Sequence, residues 1–275
     1  MDKLVFIKRI INAILPIGFM KLLWNLKYST SNLGGERKQI LGIFRSKSSL
    51  NSDNYISLIK KAKKEKLRFS AQYAQDVIAY LFFNGKKTCF FIEIGANDGY
   101  TGSTTFWAEQ LGWNGICVEP ELKTFKELRK NRHCFLYNIA ISDRNRKGVE
   151  FFNFPKRTSR SGISETMTGK QIEDAKNYSK MTIASVDSLT FGDMMNEFPN
   201  VKHIDFLSID TEGHEMNVLR SIDFGKYSFG LLTIETAESS DVVRYVEQKG
   251  YRTLMIAGSD VIFYRIDGTD YERNE

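Results

Sequence analysis

The sequence is poor in the residues that define several classes of protein. Its 275 residues include only 3 cysteines and 4 prolines. Cys89, Cys117 and Cys134 show neither a CxxC spacing nor the spacing of a cysteine–histidine metal site. We therefore expect free thiols in a reducing compartment rather than a disulfide framework. The scarcity of proline and the lack of low-complexity tracts argue against long disordered linkers.

No apolar run near the N-terminus has the length of a membrane-spanning helix. The longest uncharged run, 10–20, is about half of the roughly 20 residues that a span requires. No small-residue cleavage site follows it, which argues against a signal peptide. The pattern of 1–30 is instead that of an amphipathic helix, either packed on the domain or a second subunit, or attached to a membrane surface. In the second case its apolar side would include Phe6, Ile10, Leu22 and Trp24.

Charge is distributed unevenly along the chain, whose net charge is +6. Residues 1–70 contain 15 of the 39 basic residues but only 4 of the 33 acidic ones. A basic N-terminal segment suits an anionic membrane, an anionic glycan or nucleic acid. The sequence predicts a cytoplasmic protein and leaves open peripheral attachment to the inner membrane face through 1–30, as well as a homo-oligomer.

From Thr88 onward, short apolar runs alternate with amphipathic segments. This alternation predicts an α/β fold, with a mostly parallel seven-stranded sheet covered on both faces. The last two apolar runs are close enough to form a hairpin, so an antiparallel strand is expected at the sheet edge. Strands are predicted at 89–94, 114–118, 134–137, 203–209, 229–235, 251–256 and 260–265, and helices near 55–64, 72–83, 103–111, 121–131, 215–222 and 240–249.

Two segments fall outside this alternation. Residues 1–69 form a basic, helical N-terminal extension in our interpretation, which leaves 70–275 as the main domain. Residues 154–181 are polar and long for a connection inside a compact domain, which favours a lid, a binding loop or a mobile excursion. Lys156, Arg157 and Arg160 in this segment could contact phosphate or uronic acid groups, or form a solvated charged loop.

A glycine turn follows the first predicted strand and indicates a cofactor site. Gly95 and Gly99 allow a sharp bend and a close approach of ligand to backbone. The helix that follows offers free N–H groups to a carboxylate, and Glu93 is placed to meet an ammonium group. Glu119, 24 positions after Gly95 at the end of the second strand, has the position of a ribose-binding acid. The turn lacks the GxGxxG pattern of dinucleotide sites.

Several strings in order give the sequence a family resemblance. It resembles the FkbM-type methyltransferases over about 70–265, in the strings SAQYAQD (70–76), IEIGANDG (92–99), GSTTFWAEQLGWNGICVEP (102–120), FKELRKNR (125–132), NIAISD (138–143), SVDSL (185–189) and IDFLSIDTEGHE (204–215). One departure is Glu93, where the family usually has aspartate.

The resemblance implies a fold, a cofactor and a reaction. They are the Rossmann-like fold of class I methyltransferases, S-adenosylmethionine, and O-methylation of a hydroxyl of a sugar in a glycan, glycolipid or nucleotide sugar. Ala140, Ile141 and Ser142 would flank the adenine, with Asp143 nearby. The predicted cofactor-binding residues are therefore Glu93, Gly95, Ala96, Asn97, Asp98, Gly99, Thr101, Ser103, Glu119, Pro120, Ala140, Ile141, Ser142 and Asp143.

A second polar cluster follows the strand predicted at 203–209. Asp210, Glu212 and His214 come to the carboxyl edge of the sheet, where ligands of open α/β folds bind. Imidazole titrates near neutral pH, so His214 is the predicted base for a hydroxyl proton, with Asp210 and Glu212 as further catalytic residues. Asp210 and Glu235, on neighbouring strand ends, could hold Mg²⁺ or contact sugar hydroxyls directly.

Two other functions remain as alternatives. A nucleic-acid methyltransferase would use the basic N-terminal segment, but that segment lacks the interleaved aromatic residues of single-strand binders. A non-catalytic binding module on the same fold would not need the cluster from Asp210 to His214. We therefore expect a sugar or glycan partner and no nucleic acid.

Overall fold

The computed structural model describes residues 52–237 and 240–265. The predicted helix of 1–30, with its membrane or subunit contact, lies outside the described residues, as does most of the N-terminal extension. The part of the extension that is described begins with helix α1, Ser52–Lys64. No helix in the described ranges is long and apolar enough to cross a membrane. The boundary between 1–69 and 70–275 stays a prediction.

A seven-stranded sheet forms the centre of the molecule. Its strand order is β10-β11-β9-β8-β1-β2-β3. The pairs along β9-β8-β1-β2-β3 are all parallel, so the carboxyl ends of these five strands meet at one edge. The strands are β1 (Phe90–Ile94), β2 (Asn114–Val118), β3 (Phe135–Tyr137), β8 (His203–Ile209), β9 (Ser228–Glu235), β10 (Tyr251–Ala257) and β11 (Asp260–Arg265).

The antiparallel strand that the sequence predicts is confirmed, and the structure identifies it as β11. Strand β11 lies between β9 and the edge strand β10 and pairs antiparallel with both. The hairpin of β10 and β11 therefore folds back into the sheet. Its tip, 258–260, consequently reaches the same edge as the carboxyl end of β9, because Asp260 pairs with Glu235.

Apolar residues explain why the parallel strands are central. The residues of β1 and β8 are almost all buried, with Phe91, Ile92 and Leu207 fully enclosed. Strands buried on both faces read as continuous apolar runs, which is how they were recognisable in the sequence. The α/β architecture with a mostly parallel seven-stranded sheet is confirmed.

Helices cover both faces of the sheet. One face carries α2 and α3, whose buried residues pack with Phe91 and Phe206, while the other carries α7 and α8. Leu58 and Ala62 of α1 pack into the first of these clusters. The helices are α2 (Gln75–Phe82), α3 (Phe106–Leu111), α4 (Leu122–Asn131), α5 (Gly169–Lys176), α6 (Phe191–Met194), α7 (Glu215–Arg220) and α8 (Asp241–Gln248).

A second, four-stranded sheet flanks the segment 154–181, for which the sequence favoured a lid, a binding loop or a mobile excursion. Its order is β4-β7-β5-β6, from β4 (Ala140–Ile141), β5 (Arg146–Asn153), β6 (Gly162–Ile163) and β7 (Thr182–Leu189). Residues 154–181 thus contain β6, a 3₁₀ turn at Thr158–Arg160 and α5. Phe154, Met167 and Ala175 form a small buried cluster of their own. The apolar residues that order this segment are too widely spaced to show a helical or strand period.

A buried arginine ties α4 to the first turn of the main sheet. The side chain of Arg132 is fully buried, and its Nη1 and Nε donate to Glu93 Oε2 at 3.2 Å and Glu109 Oε2 at 2.7 Å. Its Nη1 and Nη2 also donate to the carbonyl of Gly99 and the hydroxyl of Thr105. One guanidinium therefore joins the end of β1, the turn at Gly99 and the start of α3.

Removing this guanidinium should strongly destabilise the protein. We expect Arg132→Met to lower the free energy of unfolding by about 3–5 kcal/mol, because it leaves the buried carboxylate of Glu93 and the partly buried one of Glu109 without their cation. Urea denaturation measures the loss. The control is Arg129→Met on the exposed side of the same helix, which should change stability by less than about 0.5 kcal/mol. Equal stability of the two variants would contradict this role of Arg132.

Candidate functional site

A pocket opens at the carboxyl ends of β1, β2 and β8. It contains about 1080 Å³ of empty space, part of which is open to solvent. Most of the predicted site residues line it, namely Glu93, Gly95, Ala96, Asn97, Thr101, Ser103, Glu119, Pro120, Ala140, Ile141, Asp210, Glu212 and His214. The predicted residues Asp98, Gly99, Ser142 and Asp143 lie beside the pocket, and Glu235 lies in an adjoining groove.

Gly95 is required by the close approach of two strands. Its φ is +84°, and a Cβ there would lie 1.7 Å from the carbonyl oxygen of Asp210. The N–H groups of Gly95 and Ala96 both donate to the carbonyl of Val118 at the end of β2. A side chain at position 95 would therefore separate β1 from β8 at the point where the pocket begins.

Glu119 stands where the sequence predicts a ribose-binding acid. Its carboxylate accepts from the N–H groups of Asn97 at 3.0 Å and Glu121 at 2.9 Å. Both bonds hold the side chain across the turn after β1, with the pocket in front of it. Burial raises the pKa of Glu119 to about 7, against the effect of these backbone donors. The carboxyl group is therefore placed to accept hydroxyl hydrogen bonds, and near neutrality it titrates.

Two residues that were predicted to contact the cofactor, Asp98 and Gly99, form the turn itself. Asp98 accepts from the N–H groups of Tyr100 and Thr101, at 2.9 and 2.7 Å, and from the hydroxyl of Thr101 at 2.7 Å. Gly99 has a φ of +78° and lies against Leu128. Both residues shape the turn, and the structure places neither in the lining of the pocket. Their contact with a cofactor stays a prediction.

The carboxylate of Glu93 is occupied by hydrogen bonds from within the protein. Its carboxylate accepts from the hydroxyls of Ser103 at 2.8 Å and Thr105 at 2.6 Å, from the N–H of Thr104 at 2.8 Å, and from Arg132. Only 4% of the residue is exposed. The predicted contact with an ammonium group is untested, and the structure shows that this acid anchors the start of α3.

The predicted adenine end of the pocket is formed by β4. Ala140 and Ile141 line the pocket and are buried. Ser142 is fully buried behind them, and its hydroxyl lies 3.1 Å from Asp143 Oδ1 and 3.0 Å from His214 Nε2. The apolar side chains therefore face the pocket, while the polar ones support the polar cluster after β8.

Three acids converge at the other end of the pocket. Ile209 pairs with Ile234, so Asp210 and Glu235 emerge side by side, as the sequence predicted. Carboxylate oxygens of Asp210, Glu212 and Glu235 lie within 4.8 Å of one another. Removal from water and mutual repulsion raise the pKa of all three, that of Glu212 to about 8. Such a cluster needs protons or a cation to offset its charge, and oxygen donors suit Mg²⁺.

His214 is held between two hydroxyl groups. Its Nδ1 lies 3.1 Å from Thr166 Oγ1 and its Nε2 lies 3.0 Å from Ser142 Oγ. The residue is 2% exposed, and burial lowers its pKa to about 4. At pH 7 the imidazole is therefore neutral and weakly basic. Its predicted role as the base stays a prediction, and the observed contacts also fit a residue that connects the cluster to the second sheet.

Several contributors to the site were not predicted from the sequence. The segment 154–181 reaches it through Thr158, whose hydroxyl donates to Asn97 Oδ1 at 2.8 Å, and through Arg160, 3.9 Å from Glu212. Its polar, basic composition indicated a binding role but not these partners. Gln72, Gln75 and the hairpin tip also line the pocket. The string SAQYAQD contributed to the family resemblance, but neither glutamine was predicted as a site residue.

The strand order, the glycine turn and the acid after β2 define a class of proteins, the α/β proteins that bind a nucleoside cofactor at this edge of the sheet. The family model described as the methyltransferase FkbM domain matches residues 93–253. This is more than half of the chain, which therefore belongs to the FkbM methyltransferase family, whose cofactor is S-adenosylmethionine. The predicted family and the class I methyltransferase fold are confirmed.

Comparisons with other proteins give weaker similarities. The chain is similar to a methyltransferase FkbM from Methylobacillus flagellatus KT, at 11% identity and a TM-score of 0.40, over 86% of this chain and 62% of that one. A methyltransferase from Geobacter sulfurreducens matches at 11% identity and 0.38, over 83% and 98%. An O-methyltransferase from Bacillus cereus, in complex with S-adenosylhomocysteine, matches at 11% and 0.34, over 79% and 92%. No curated protein sequence matches this chain significantly.

Cofactor affinity should depend on pH through Glu119. With a pKa of about 7, its carboxylate form is fully populated only above that pH, and this form accepts hydroxyl hydrogen bonds. We expect the affinity for S-adenosylhomocysteine, measured by calorimetry, to rise with pH through about 7 and then to level off. Glu119→Gln cannot ionise, so it should bind roughly tenfold more weakly and without this pH dependence. A wild-type affinity that stays constant with pH would contradict the assignment.

Proposed function

We propose that the protein transfers a methyl group from S-adenosylmethionine to a hydroxyl oxygen of a sugar. The observation that supports this most is the meeting of the cofactor pocket with the acid cluster Asp210, Glu212 and Glu235. Carboxylates at this point can bind sugar hydroxyls and accept a hydroxyl proton. When bound, the cofactor supplies a methyl group on a sulfonium, a leaving group that needs no acid catalysis.

The pocket fits this cofactor in its shape and polarity. The turn at Gly95 brings the backbone directly against the space, and Glu119 stands opposite with its carboxylate held in place. Ala140 and Ile141 provide an apolar surface for a purine ring. The remaining task of the protein is to align the acceptor oxygen with the methyl carbon, which depends on rigid placement of both partners.

The groove beside the pocket is the proposed acceptor site. Glu212 and Ser259 border both spaces, so a molecule in the groove can reach the cofactor. Ile256, 38% exposed at the groove, offers an apolar contact for a sugar ring. Among the described lining residues, the acids Glu212, Glu215 and Glu235 outnumber the one guanidinium, that of Arg160. This charge favours a neutral or cationic sugar over a phosphate or uronate.

The basic residues of 154–181 support the same choice. Arg157 lies over the ring of Tyr178 at 4.8 Å, and Arg160 faces Glu212. Both are therefore partly engaged by neighbouring side chains. An acceptor phosphate would have to compete with these partners and approach the three acids as well. The earlier hypothesis of a phosphate or uronic acid contact through this segment is thus the less favoured one.

Two groups compete for the role of proton acceptor. Both nitrogens of the His214 imidazole already contact hydroxyls, and burial lowers its pKa to about 4. Asp210 lines the pocket and is accessible from it, and its withdrawal from bulk water between Glu235 and Glu212 raises its pKa. A carboxylate with a raised pKa is a stronger base. We therefore assign the proton to Asp210, with His214 as a positioning residue, because Glu212, with a pKa of about 8, is mostly protonated at pH 7.

A label-transfer assay tests the function. We expect methyl-labelled S-adenosylmethionine to label glycan, glycolipid or nucleotide-sugar fractions of the host cell, with the label on a sugar oxygen by mass spectrometry. Label in nucleic acid would favour the alternative substrate class. Cofactor binding without any transfer would favour a non-catalytic module.

Variants in the same assay separate the two proton acceptors. Asp210→Asn should lose at least about 100-fold in turnover, since an amide cannot take the proton. His214→Gln keeps hydrogen-bonding groups for Ser142 and Thr166 and should remain within roughly tenfold of wild type. His203→Gln, at the exposed start of β8, is the control. A loss in His214→Gln as large as in Asp210→Asn, with unchanged affinity for S-adenosylhomocysteine, would restore His214 as the base.

The acid cluster also fits a divalent cation, and we propose Mg²⁺ as its occupant. Asp210, Glu212 and Glu235 provide oxygen ligands within 4.8 Å of one another, and a cation would offset their repulsion. A bound Mg²⁺ would lower the pKa of an acceptor hydroxyl, so the proton would need only a weak base, and the oxygen of Asp210 that does not contact the cation would accept it. The sequence alone indicated Asp210 and Glu235, and the structure adds Glu212.

Removal of metal should therefore reduce activity. We expect exhaustive chelation to lower turnover at least about tenfold, and added Mg²⁺ to restore it. Affinity for S-adenosylhomocysteine should stay unchanged, because Glu119, the predicted ribose contact, is not one of the three acids of the cluster. Full activity after chelation would show that the carboxylates bind the sugar hydroxyls directly.

A further inference from the structure

One wall of the cofactor pocket is built by two segments outside the matched range 93–253. The first is the stretch 70–76, and the second is the hairpin tip 258–260. Gln72 and Gln75 of the first segment, and Ser259 and Asp260 of the second, line the pocket. Because both segments lie outside the family match, nothing in that match assigns them a role.

The first segment is fixed against the glycine turn. The hydroxyl of Ser70 donates to the carbonyl of Ser103 at 3.1 Å, and Ala71 forms a parallel bridge with Gly102. The N–H of Ala71 donates to Asp76 Oδ2 at 2.9 Å, and Asp76 is fully buried. The backbone that carries position 72 is therefore held beside 101–103 at the mouth of the pocket.

The same segment is joined to the hairpin tip. Gln75 Nε2 donates to Asp260 Oδ2 at 2.9 Å, and Gln75 Oε1 accepts from the N–H of Tyr73. A Cβ at Gly258 would lie 2.1 Å from the ring of Tyr73, so the two segments are in close contact. These contacts make a rigid wall that faces the acids after β8 and β9.

The charge of the pocket limits how it can bind an amino acid. Its charged lining residues in the described chain are all acids, and no lysine or arginine is among them. The acids suit the ammonium and sulfonium groups of the cofactor, on the proposed function. Its carboxylate, however, must be met by uncharged donors or backbone N–H groups. The acids concerned are Glu93, Glu119, Asp210, Glu212 and Asp260.

Most side-chain donors on this side of the pocket already serve a carboxylate. The hydroxyl of Ser103 donates to Glu93, that of Thr101 donates to Asp98, and Gln75 donates to Asp260. Gln72 differs, because its amide donates to a neutral group, the hydroxyl of Tyr73, at 3.1 Å. This contact is exposed, so the amide can exchange it for a charged acceptor at little cost.

We propose that Gln72 binds the carboxylate of the methionine part of the cofactor. Gln72 lines the pocket, and its backbone is fixed beside Gly102 by the Ser70, Ala71 and Gln75 contacts. The inference rests on the proposed function, because it requires S-adenosylmethionine in this pocket. It adds a residue outside the family match to the binding site.

Calorimetry with two nucleosides tests the proposal. S-adenosylhomocysteine carries the amino acid group, and 5′-methylthioadenosine lacks it. We expect Gln72→Ala to weaken binding of the first by roughly tenfold, with no change for the second. Gln72→Glu should weaken the first further, because it places like charges together. The control is Gln248→Glu on the exposed side of α8, which should change neither affinity.

Several results would overturn the assignment. An unchanged affinity of Gln72→Ala for S-adenosylhomocysteine would remove Gln72 from the site. Tighter binding by Gln72→Glu would place the ammonium group there instead. An equal loss of affinity for both nucleosides would show that Gln72→Ala disturbs the wall of the pocket and removes no contact with the carboxylate. If the wild-type protein bound neither nucleoside, the proposed function itself would be overturned. This outcome is distinguishable from the others, because it is measured before any residue is substituted.

Discussion

The structure depends on one close approach, that of the turn after β1 to the end of β8. Gly95 passes so near the carbonyl of Asp210 that a Cβ would lie 1.7 Å from it. This approach brings the cofactor turn and the acid cluster to the same place, although they are more than 100 residues apart in sequence. A methyl donor and an acceptor hydroxyl can meet only because these two strands are neighbours, with no room for a side chain between their ends.

The conformation of that turn is maintained from behind by buried polar groups. Glu93 has a structural role in this turn, because its carboxylate accepts hydrogen bonds from the hydroxyls of Ser103 and Thr105 and from the guanidinium of Arg132. In the same way His214, buried between Ser142 and Thr166, links the acid cluster to the second sheet. Both residues line the pocket and are held by hydrogen bonds within the protein, which favours a preorganised site.

The sequence predicted the strands of the main sheet correctly, but only some of the residues and contacts of the site. Apolar runs such as 89–94 and 203–209 correspond to β1 and β8 within a residue, because strands buried on both faces need continuous apolar sequence. The second sheet was missed, because its long strands β5 and β7 are mostly polar and partly exposed, and so lack the continuous apolar runs of the main sheet. Glu119 and Asp210 were found because strand ends locate them. The partners of Glu93 and His214 were not, since they come from distant segments.

By itself the sequence determined the fold class, the family and which strand ends carry polar residues. Local pattern suffices for these, since periodicity, glycines and acids are read one segment at a time. Only the tertiary structure decided which of those residues face the pocket. It places Asp98 in its own turn, joins Asp210 with Glu212 and Glu235, and brings 70–76 to the hairpin tip. The physical reason is that hydrogen bonding and desolvation depend on neighbours in space, and chain order does not record them.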